Sequence, residues 1–79
     1  MEEEEVLRRV KKVVATQLNV DQGRMTMEAS FTGDLGADEL DMAELVIALE
    51  EKFGIEVPND DAKEITTAGK AVQLIAPWI

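Results

Sequence analysis

The run Asp34, Leu35, Gly36, Ala37, Asp38, Glu39, Leu40, Asp41 decides the fold of this 79-residue chain, because a loop and a helix start meet within it. Gly33 and Gly36 read as turn residues, which tolerate backbone conformations that a Cβ disfavours. Asp38 can accept hydrogen bonds from the free amides of a helix start, and Asp41, three residues on, supplies the reciprocal partner of a capping box. A second helix is therefore predicted to begin at Asp38. Its inward stripe reads Leu45, Val46, Leu49 and Phe53, and Gly54 ends it as a C-terminal glycine should.

Upstream, Val6, Leu7, Val10, Val13, Val14 and Leu18 recur at spacings of three and four, which predicts an amphipathic helix from about residue 3 to residue 18. Glu2 to Glu5 stand at its start and Lys11 and Lys12 further along, the order that the helix dipole favours. Asn19, Asp21, Gln22 and Gly23 break the pattern. The long connection that follows is expected to be pinned to the core by Met25, Met27 and Phe31. Downstream, Ile55, Val57 and Pro58 read as an extended link, followed by a short acidic helix from Asn59 to about Ile65. Thr66 or Thr67 can cap a last helix carrying Ala71, Val72, Leu74 and Ile75, which Pro77 halts or kinks. The pattern is all-α, with three principal helices and one short one, in a single domain spanning 1–79.

Composition narrows the chemistry. Cysteine, histidine and tyrosine are absent, which removes disulfides, thiolate zinc sites, the commonest general base and the commonest metal ligand. An ordinary enzyme is not expected, and no catalytic residue is assigned. With 46% hydrophobic residues but only two Phe and one Trp, the core must be aliphatic, which suits a compact helical bundle. The formal charge of -9 is concentrated: residues 34–64 hold eleven acids and two bases, while the rest of the chain balances. Such a field repels nucleic acid and anionic lipid and attracts basic protein surfaces. No apolar run is long enough to span a bilayer. The acidic first residues are the reverse of a basic targeting segment, so a cytoplasmic monomer is expected.

Phe31 to Glu44, then Val46, Ala48 to Glu51, Phe53, Pro58, Ile65, Thr66 and Thr67, resemble the acyl carrier protein family over nearly the whole chain. The resemblance implies a four-helix bundle with an acyl-holding apolar interior. In the family, the motif Asp-Ser-Leu carries 4'-phosphopantetheine on its serine. Here Asp38, Glu39 and Leu40 stand in its place, followed by Asp41. A carboxylate cannot attack coenzyme A or form the phosphodiester that tethers the arm, so no cofactor is expected. Ser30, the single serine, lies nine residues earlier and reads as a loop hydrogen-bonder.

Three readings fit Glu39. It can simply complement the positive end of the helix dipole. It can mimic the negative charge of the phosphodiester in an arm-free carrier. It can also be a replacement of serine that locks a member of a functional acyl carrier system in its unmodified form.

The resemblance also implies partners. Asp41, Glu44 and Glu51 lie at helical spacing on the outward side of the second helix, with Ala43 and Ile47 between them. In the family, this face docks on basic patches of synthases and transferases in lipid or polyketide synthesis. Ala43 replaces a bulkier aliphatic residue common there.

The acids near Asp34, Asp38 and Asp41, and near Asp60, Asp61 and Glu64, do not match a calcium-binding loop, so no metal site is assigned. Trp78 can close the end of the bundle or anchor a partner or second copy. The function classes in competition are a carrier, a non-carrying interaction module that occupies carrier partners, and a non-covalent fatty-acyl binder.

Overall fold

A computed structural model describes residues 2–79 and contains four α-helices and no strand among them. The helices are α1 (Glu3–Leu18), α2 (Glu39–Phe53), α3 (Asn59–Ala62) and α4 (Ala68–Ile75). Helix α1 packs against both α2 and α4. Val6, Val10 and Val14, four residues apart, form its fully buried seam. They meet Leu45 and Leu49 from α2 and Ala68, Ala71, Val72 and Ile75 from α4. Each large aliphatic side chain removed from water contributes roughly 1.5 to 3 kcal/mol.

The start of α1 follows the predicted charge order, with Glu3, Glu4 and Glu5 in its first turn. Glu5 pairs with Arg8 at 2.6 Å and with Arg9 at 3.2 Å. Lys11 and Lys12 correct the expectation at the other end, because the last turn of α1 contains no basic residue and the dipole there goes uncompensated by side chains. The helix stops at Asn19, which adopts the left-handed conformation (φ 55).

The connection from α1 to α2 is tied down in two ways. A 3-10 turn over Gln22–Arg24 is capped by Asp21, whose Oδ1 accepts from the Gly23 amide at 2.9 Å. Met25 and Phe31 then insert into the core, as anticipated. Met27 differs from expectation: its side chain is 43% exposed. Its backbone does the tying instead, with the carbonyl accepting from the Gly69 amide at 3.0 Å. The Phe31 amide donates to the Thr66 carbonyl at 2.9 Å, beside an isolated bridge between Ser30 and Thr67.

Helix α2 ends at Gly54, whose positive φ of 66 is the backbone state that glycine reaches without steric cost. Along it, Leu45 and Leu49 are fully buried, while Val46 and Phe53 are only half-buried. Helix α3 is shorter than the predicted span and stops at Ala62. A single turn lacks the cooperative gain that extends longer helices, and Ile65 lies beyond its end as a separate core anchor, 1% exposed. Thr67, not Thr66, caps α4, its Oγ1 accepting from the Lys70 amide at 3.1 Å. Pro77 sits in a 3-10 turn, Ala76–Trp78, that closes the described chain.

Candidate functional site

The site is built on the entrance to α2. Asp38 has an extended backbone, its Oδ1 accepts from the Asp41 amide at 2.8 Å, and the Asp41 Oδ2 accepts from the Asp38 amide at 3.1 Å. This completed capping box makes Glu39 the first helical residue, with its side chain exposed.

The preceding loop holds that start in place. The Asp34 and Leu35 amides both donate to the Ser30 carbonyl, at 2.9 and 3.1 Å, and the Asp34 Oδ2 accepts from the Ser30 amide at 2.7 Å. Gly36, with φ 74, supplies the reversal that a side-chain-bearing residue would resist. Ala37 is then buried, and its amide donates to the Phe31 carbonyl at 2.8 Å. Ser30 is half-buried and its Oγ accepts from the Gly33 amide at 3.0 Å, the loop role expected of it. The exposed end of this entrance is therefore a carboxylate, and Glu39 offers no hydroxyl to which a phosphodiester arm could be joined. The residues present do not fit that group.

From Glu39 the outward side of α2 runs through Leu40, Ala43, Glu44, Ile47 and Glu51, all exposed. Leu40 and Ile47 are 67% and 54% exposed, unusual for aliphatic side chains of this size. With Ala43 between them, at spacings of three and four, they form an apolar seam along one face. Glu44 and Glu51 flank the seam. Among the described residues, ion pairs form only at Glu5, so neither flanking carboxylate has an intramolecular cation.

Asp41 stands apart from its expected companions. It is half-buried because it belongs to the capping box. Leu40, read from the sequence only as a motif neighbour, is the most exposed large apolar residue of the face. Its place three residues before Ala43 and seven before Ile47 was the available signal.

A shallow recess lies beside this face, between α2 and α3. Glu39 stands at its rim, and Met42, Val46, Ile47, Val57 and Ala62 supply its apolar surface. Among the described residues, Lys63 is the one cation along it. Glu50 forms part of the same wall, and its Oε2 accepts from the Val57 amide at 2.8 Å. Among the described residues, no three Asp or Glu side chains gather in a way that could hold a metal ion. No helix there is long and apolar enough to cross a membrane.

A family model described as the phosphopantetheine attachment site matches residues 8–75, which run from within the first half of α1 to the end of α4. The chain belongs to this family of carrier domains. Its members work by meeting partner enzymes and are not themselves catalysts.

Proposed function

We propose that this protein is an arm-free member of the carrier family, which docks on basic surfaces of acyl-carrier-dependent synthases and transferases through the outward side of α2. The observation that carries the proposal is the apolar seam Leu40, Ala43 and Ile47, exposed and flanked by the unpaired carboxylates Glu44 and Glu51. Apolar contacts in the middle with charges around them are the usual anatomy of a protein interface. The concentrated negative charge speeds encounter with a basic partner and makes it salt-dependent.

In this reading Glu39 takes the place of the family's serine and presents a fixed negative charge at the helix start, as a tethered phosphodiester would. Partners are engaged and no acyl group is delivered. The domain spans 1–79, and fatty-acid or polyketide synthesis is its setting. The test is intact mass after incubation with coenzyme A and a broad-specificity phosphopantetheinyl transferase, beside Glu39→Ser. An arm gained by the variant alone supports the reading. An arm gained by the unaltered protein overturns it and directs attention to Ser30.

A second reading, non-covalent binding of a fatty-acyl chain, is favoured by the apolar recess between α2 and α3. Native mass spectrometry with fatty acids tests it, and binding would persist whatever residue occupies position 39.

A further inference from the structure

Trp78, the one tryptophan of the chain, does not close the bundle. It is 64% exposed in the 3-10 turn after α4. It stands instead beside the connection that follows α2, and together they bound an open cleft. Its other walls are Glu50, Ile55, Glu56, Val57 and Pro58. Among the described residues, no cation lines this cleft and neither carboxylate pairs with one elsewhere.

We infer that this cleft receives an arginine side chain presented by a basic partner protein. An indole face attracts a cation that approaches it flat, and arginine does so while its fork of N–H donors remains free for carboxylates. Glu56 is exposed and available for such a bond, and one oxygen of Glu50 is not used by the Val57 amide. Ile55, Val57 and Pro58 can cover the aliphatic stem. A lysine has a point charge and no planar face, so it fills the same space less well. A second copy of this chain brings another -9 to the same surface and is disfavoured by repulsion.

This inference extends the docking reading, since both call for a basic partner, but it uses a different place. Glu50 lies about 16 Å along the helix axis from Glu39 at a rise of about 1.5 Å per residue. A partner that covers the α2 face and also reaches this cleft would be held at both ends of the helix.

The test uses the full chain and two blocked peptides, tri-arginine and tri-lysine, titrated at low salt and followed by amide and indole chemical shifts. Tri-arginine is expected to bind about threefold tighter than tri-lysine, with the largest shifts at Trp78 and at residues 54–57. Trp78→Ala and Glu56→Gln should each weaken tri-arginine binding about two- to fivefold, and Gln73→Ala, at an exposed place on α4, should leave it unchanged. Equal affinity for both peptides, with shifts spread over all the acids and no effect of Trp78→Ala, would overturn the inference in favour of diffuse attraction. Shifts that depend on protein concentration without peptide would overturn it in favour of self-association. The docking reading fails by another readout: synthase binding indifferent to Ile47→Ala sinks that reading and leaves the peptide result standing.

Discussion

The carboxylate of Glu50, in the last turns of α2, accepts a hydrogen bond from the Val57 amide at 2.8 Å, seven residues further on. This one contact anchors the link between α2 and α3 and forms a wall shared by two recesses, one beside α3 and one beside Trp78. Glu50→Ala removes the acceptor and leaves a part-buried amide without a partner, so a loss of about 1 to 2 kcal/mol is expected in urea unfolding. Glu50→Gln keeps an acceptor and should lose less. Equal stability of the alanine variant and the parent would show that the link is held by other contacts.

At the entrance to α2, Asp38→Ala removes the side chain that accepts from the Asp41 amide. Loss of such a cap costs about 0.5 to 2 kcal/mol, and Asp38→Asn should recover most of it. Thermal unfolding followed by circular dichroism reads the difference. A cap that mattered little would leave both variants at the parental midpoint.

Glu39 is the position at which attachment chemistry and fold separate. It is exposed and outside the capping hydrogen bonds, so Glu39→Ser should fold like the parent and gain only a substrate hydroxyl. Intact mass is expected to rise by one phosphopantetheinyl group in the variant and to stay constant in the parent.

For partner binding, Ile47→Asp places a charge in the centre of the exposed apolar seam. The affinity for a carrier-dependent synthase should fall about tenfold or more, as for a central interface residue, while the melting temperature stays within a degree or two. Surface plasmon resonance at two salt concentrations reads both the loss and the expected weakening by salt. An unchanged affinity would remove α2 from the interface.

Inside the bundle, Leu45→Ala is expected to cost about 2 to 5 kcal/mol, since Leu45 is fully buried in the core that α2 shares with α1. That is a large part of what a small domain possesses. Loss of cooperative unfolding, measured by calorimetry, is the expected result.

How much of this was legible in the sequence depended on how local its cause was. The bounds of α1 and the start and stop of α2 follow from nearby residues: the spaced valines, the Asp38–Asp41 pair and Gly54. They matched. The length of α3, the exposure of Met27 and the open position of Trp78 depend on what other segments cover, and periodicity says nothing of that. At the site, the outward places of Ala43, Glu44, Ile47 and Glu51 follow from helical spacing alone. The exposure of Leu40 and the Glu50 contact to Val57 were missed, because each is set by where the chain goes before or after the helix.

The valine seam of α1 has a further consequence. Of the nine largest fully buried side chains among the described residues, six are valine or isoleucine: Val6, Val10, Val14, Ile65, Val72 and Ile75. Branching at Cβ leaves these side chains few rotamers even in the unfolded chain. Freezing them in the core therefore forfeits little conformational entropy, less than the roughly 1.5 to 2 kcal/mol lost by a long flexible side chain. A domain too small to hide much surface gains here from having less disorder to surrender.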